Sequence, residues 1–162
     1  MKTKKRKNNS YKFEVVEALK MGLFDKLKKK EKSSNDVKRT KEGFIKIECE
    51  HLISWNEPNG EGCIVSDKIT KEGFNVGYMV REEPMEGNPD SGWQFMAGNE
   101  DDEYMDNPDN HHIFALNTVC NYDKAVIPFL KSPVGSAYIR ISDCTFEIDD
   151  GSKSAFLSKQ TR

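Results

Sequence analysis

Asn88-Pro89-Asp90-Ser91-Gly92-Trp93-Gln94-Phe95-Met96-Ala97-Gly98-Asn99-Glu100-Asp101-Asp102-Glu103-Tyr104-Met105-Asp106-Asn107-Pro108-Asp109-Asn110 sets out a turn, a strand, an acidic run and a second turn in one stretch. Asn-Pro-Asp is turn chemistry: proline presets its φ, and the flanking Asn and Asp side chains bond to nearby backbone. Trp93 and Phe95 fall on one side of an alternating run and Gln94 on the other, the period of a half-buried strand. Asn99 then reads as a helix N-cap, with Glu100 to Glu103 filling a first turn that the helix dipole favours. Phe95 is expected in the core; Trp93 and Tyr104 suit either a core or a contact surface.

The same period of two recurs on both sides of this stretch. Phe44-Ile45-Lys46-Ile47-Glu48-Cys49 alternates, and short strand-like runs follow at 63–65, 76–81, 113–120, 137–141 and 145–148. Turn residues separate them, among them Glu57-Pro58-Asn59-Gly60, Lys71-Glu72-Gly73 and Ser132-Pro133. One further short helix is expected around Asp123–Leu130, although Pro128 would break it unless it sits near the start. The pattern predicts an α+β fold: a small, mainly antiparallel sheet with two or so short helices.

Charge divides the 162 residues more sharply than the net value of −2 or the pI near 6.0 suggests. Residues 1–42 hold fifteen Lys/Arg against six Asp/Glu, residues 43–150 seven against twenty-one, and residues 151–162 three basic residues and no acid. The chain therefore reads as a basic N-terminal arm and linker (1–42), an acidic α+β body (43–150) and a basic tail (151–162). Within the arm, residues 1–10 lack apolar periodicity and are expected to lack fixed structure. Val15, Leu19, Leu23 and Leu27 recur at helical spacing, and 28–36 reads as a charged linker. Met21-Gly22-Leu23-Phe24-Asp25 can serve as an internal start, although Lys26 stands where a myristoylation signal needs Ser or Thr.

Composition and motif spacing narrow the function classes. Cys49, Cys63, Cys120 and Cys144 are widely spaced, and no apolar stretch of secretory or membrane-spanning length is present, so a reducing cytoplasm is expected. A calcium loop begun at Asp101 would need Gly at its sixth place and Glu at its twelfth, where Asp106 and His112 stand. His111 and His112 point to opposite faces of an extended strand, so no metal or other cofactor is expected. Nucleophile elbow, phosphate loop and zinc-protease motifs are all absent. Binding is thus favoured over catalysis, the alternative being a small hydrolase or ligand-binding enzyme with polar groups converging on Asp90, Asp123 and His112. A third possibility has the basic arm tether the domain to anionic lipid or nucleic acid.

Six blocks in order carry a family resemblance: 62–67 (GCIVSD), 76–84 (VGYMVREEP), 90–98 (DSGWQFMAG), the acidic run 100–110, 116–123 (LNTVCNYD) and 132–138 (SPVGSAY). Their sequence and spacing resemble the bacterial domain of unknown function later renamed immunity-protein family 33, over about residues 60–142. The resemblance implies a small cytosolic protein that neutralises a cognate toxin of a polymorphic-toxin system, and it brings no catalytic residues. The acidic body is compatible with a basic partner such as a nuclease, whose cleft an anionic surface would fill; this is an expectation from charge and not part of the resemblance. Trp93, Glu100, Asp101, Asp102, Tyr104, Asp106 and Asn110 are the expected partner-contact residues. Neither specific nucleic-acid binding nor a transmembrane segment is expected.

Overall fold

A computed structural model describes residues 37–150. The expected arm helix between Tyr11 and Leu27, the linker up to Asp36 and the C-terminal tail lie outside the described residues. Six strands, β1 (Gly62–Ser66), β2 (Tyr78–Arg81), β3 (Trp93–Met96), β4 (His111–Ala115), β5 (Ala137–Ser142) and β6 (Thr145–Ile148), form one sheet in the order β4-β1-β3-β2-β5-β6. β1 and β3 run parallel and every other neighbouring pair antiparallel. The helices are short: α1 (Asp67–Thr70), α2 (Asp102–Asp106), α3 (Leu116–Tyr122), and 3-10 turns at Pro108–Asn110 and Lys124–Phe129. The chain has the α+β fold its strand and turn pattern predicts.

Strand register sorts the side chains into two faces. Val65, Phe95, Met79 and Tyr138 are successive partners across β1, β3, β2 and β5, so they share a face. Cys63, Trp93 and Phe146 fall on the same side, and α3 with the Lys124–Phe129 turn closes over it through Leu116, Val119, Cys120, Val126 and Leu130. Trp93 is fully buried there, stacked on Phe95 at 6.0 Å, and its indole N–H donates to the Leu130 carbonyl at 3.1 Å. Each large side chain so buried contributes about 1.5–3 kcal/mol. The opposite face bears the row Ile113, Ile64, Gln94, Val80 and Ala137 across five strands, with Ile113 78% exposed.

Two arginines are buried in the covered face. Arg140 donates to the Val76 and Asp143 carbonyls and to the Asp123 carboxylate, and stacks 4.5 Å over Phe146. Asp123 also accepts the Val76 N–H at 2.9 Å and caps the following turn through Ala125 N–H at 3.1 Å. Arg81 donates to the carbonyls of Ser91 and Ser132 and pairs with Glu57. Each guanidinium thereby fastens two or more loops to the sheet.

The turn before β3 is equally constrained. Asp90 accepts the N–H groups of Met85 and Gly92, both at 2.8 Å. Gly92 has φ +81°, and a Cβ there would lie 2.1 Å from the Glu82 carbonyl oxygen. A Cβ on Gly62 would come within 1.9 Å of the Pro89 carbonyl oxygen, so the turn can pack against β1 only at glycine.

Four local expectations need correction. Residues 44–49 run without a ladder, apart from an isolated Arg39–Ile45 bridge. Two side-chain amides grip the continuation of this strap: Asn121 makes a paired contact with the N–H and C=O of Glu50, and Asn117 accepts from Leu52 and Ile53 and donates to Glu50. They satisfy the main chain where a neighbouring strand otherwise would. The run 113–120 divides into strand and helix at Ala115, because Leu116, Val119 and Cys120 have the i, i+3, i+4 spacing of a buried helical stripe. The acidic helix is capped by Asp101, which accepts the Tyr104 N–H at 2.8 Å, and not by Asn99. The segment 124–129 is a 3-10 helix that holds Pro128 internally.

Replacing Asp123 with Ala leaves the Arg140 guanidinium buried without its counter-ion and should cost about 3–5 kcal/mol in chemical denaturation; a loss below 1 kcal/mol would contradict the pairing. All four cysteines are free, with Cys63 and Cys120 buried and Cys49 and Cys144 exposed. Burial pushes the Cys63 thiol well up and the Cys120 thiol up to about 11. Iodoacetamide at neutral pH should therefore alkylate Cys49 and Cys144 alone, read by peptide mass spectrometry, until denaturant is added. Above the ordinary thiol value of 9.0 the unfolded chain releases protons that the folded chain keeps, so stability should fall as pH rises towards about 11.

Candidate functional site

The acidic run folds as a short ridge between β3 and β4. Asp102, Glu103 and Asp106 lie on α2, and Asp109 in the 3-10 turn that Asn107 caps. Their side chains are exposed, as is Asp101 at the cap. Among the described residues no ion pair reaches any of these five acids. Lys68, the cation beside them, is engaged by the Asn99 carbonyl at 3.0 Å and lies 5.0 Å over the Tyr104 ring. The five acids thus form no contact ion pair among the described residues, and the Lys68 ammonium beside Tyr104 keeps a single positive charge next to them.

Tyr104 and Asn110 are half-buried and hold the ridge together. The Asn110 amide donates to the Tyr104 carbonyl at 3.0 Å, and the Tyr104 ring meets His111 edge-on at 5.8 Å. Burial pushes the Tyr104 phenol above its ordinary value. Two expected contact residues sit elsewhere. Trp93 is enclosed in the core beneath α3, where it has no surface to offer. Glu100 is 1% exposed and turns inward to accept the Ala97 and Gly98 N–H groups, each at 2.7 Å. A buried carboxylate satisfied by two backbone donors fixes the loop entering α2. The structure therefore brings Asp101, Asp102, Tyr104, Asp106 and Asn110 together on one surface feature and removes Trp93 and Glu100 from it.

The polar groups that an enzyme reading would gather are engaged in three different places. Asp90 shapes the turn before β3, Asp123 holds Arg140, and His112 Nδ1 lies 2.7 Å from Asp67, which also pairs with Lys71 at 2.7 Å. No hydrogen bond or ion pair among the described residues joins any two of the three. Among these residues no group of three or more His, Cys, Asp or Glu is arranged to hold a metal ion, and no helix is long and apolar enough to cross a membrane.

The sheet face opposite α3 is not among the features expected from the sequence. Ile113 and Ile64 are partners in register on that face, and both are exposed. The available signal was the unbroken apolar run Cys63-Ile64-Val65, since a strand covered on one side only would place a polar residue at its middle position.

The family model of the immunity protein Imm33 domain matches residues 63–148, from the first core residue of β1 to the last residue of β6. No curated protein and no solved structure matches the chain. The match covers more than half of the sequence and all six strands: the chain belongs to the Imm33 family of immunity proteins, whose role is to neutralise a toxin.

Proposed function

We infer that this protein blocks a cognate toxin by docking the ridge around α2 onto a basic surface of that toxin. The observation that carries the reading is the set of exposed acids at 101, 102, 103, 106 and 109, none of them in an ion pair among the described residues. Carboxylates presented in this way raise the encounter rate with a cationic partner and disfavour anionic ones. A nuclease, which needs a basic cleft for its own substrate, is the partner class that fits. Action in the cytoplasm, by a body of residues 43–150 with basic appendages on either side, completes the proposal. Asp101, Asp102, Tyr104, Asp106 and Asn110 are its contact residues, the acids for steering and Tyr104 and Asn110 as the rigid support behind them.

Charge reversal supplies the test. The double variant Asp102→Lys/Asp106→Lys, at positions that cap nothing, should slow association with the purified, inactivated toxin of the producing strain by about tenfold at low salt and flatten its salt dependence. Association unchanged across a salt series would remove the reading. Glu100→Gln tests the inward carboxylate separately. It sets an amide against two N–H donors and should cost about 1–3 kcal/mol of stability, while the folded variant should associate at the parental rate.

A further inference from the structure

The six strands contribute two cations, Arg81 and Arg140, and both lie buried on the covered face. The opposite face carries the row Ile113–Ile64–Gln94–Val80–Ala137, which is exposed at its Ile113–Ile64 end, half-buried at Gln94 and Val80 and buried at Ala137, and the charged side chains of its strand region, Glu82 and Glu147, are acidic. Ile113 is 78% exposed at the centre of the edge strand β4. It points to the same side as His111, two residues earlier, and His111 is the ring on which Tyr104 of α2 packs. The apolar row and the acidic ridge are therefore contiguous, joined through the Tyr104–His111 contact.

We propose that the uncovered sheet face centred on Ile113 and Ile64 is the apolar middle of the toxin interface, and that its occupant is a cationic toxin surface bearing an apolar side chain. The inference rests on the toxin-docking reading above and names where the buried contact forms. Charge complementarity selects the occupant. A second copy of this chain would bring acids against acids, and a lipid or nucleic-acid surface would meet a face whose strand-region charges, among the described residues, are acidic. Interfaces of this kind divide the work: charges at the rim set how fast partners meet, and a few desolvated apolar side chains at the centre set how slowly they part.

The test compares variants of the full chain against the purified, inactivated toxin of the producing strain, with association and dissociation measured separately. Ile113→Ala should speed dissociation by about tenfold and Ile113→Asp by more, with association within about twofold of the parent for Ile113→Ala. Met85→Ala, at an exposed apolar side chain in the β2–β3 loop, should leave both rates unchanged. Ile113 variants that bind like the parent, while Asp102→Lys/Asp106→Lys still slows association, would overturn this inference and leave the ridge-docking reading intact. If neither set changes binding, both readings fall. An effect at Ile113 without any effect of charge reversal would overturn the cationic occupant. Light scattering should find the full chain monomeric; a dimer dissolved by Ile113→Asp would give the face to a second copy and overturn the proposal. Circular dichroism and melting confirm that each variant is folded, which the exposure of Ile113 favours.

Discussion

The structure depends on two guanidinium groups that have to find acceptors in a place without water. Arg140 and Arg81 are 3% and 5% exposed, and a charge so placed is tolerated only with its hydrogen bonds filled. Arg140 fills them from the loop before β2, the end of α3 and the β5–β6 turn; Arg81 fills them from the turns at Ser91 and Ser132 and from Glu57. Short strands and helices of four to seven residues are held in one arrangement by these converging contacts. The same requirement shapes the outer surface. With both strand cations turned inward and matched there, the outward charge of the sheet region is left to carboxylates.

Strand positions were legible in the sequence because period-two patterning survives even in four-residue strands. The runs at 93–96 and 145–148 match β3 and β6 to the residue. The failures have physical causes. Residues 44–49 alternate like a strand, but Asn117 and Asn121 capture the continuation of that segment, and no local pattern announces a partner some seventy positions away. The β-branched Thr118 and Val119 hid a helix whose buried stripe was nonetheless present in Leu116, Val119 and Cys120. Propensity yielded there to packing, as it does in short elements.

The candidate site was legible in part for a related reason. Acidity along a run can be read directly, but the direction of each side chain cannot: Glu100 turns back to the Ala97 and Gly98 N–H groups, while Asp101 beside it caps α2 and stays exposed. Trp93 has the size and polar handle of an interface anchor, yet the Leu130 carbonyl satisfies its N–H inside the core. The exposed face was missed because an isoleucine in a strand looks the same whichever way it points. Only register shows that Ile113 lies on the face opposite α3.

The asparagine pair on α3 carries a consequence for how this protein can diverge. Asn117 and Asn121 hold the strap at Glu50, Leu52 and Ile53 through peptide groups, which are alike in nearly every amino acid. The identity of the exposed residues at 48, 50 and 51 is thus nearly immaterial to that grip, provided the path stays extended and none of the gripped nitrogens becomes that of a proline. Lineages can accumulate substitutions there, just outside the matched domain, with the helix beneath left undisturbed.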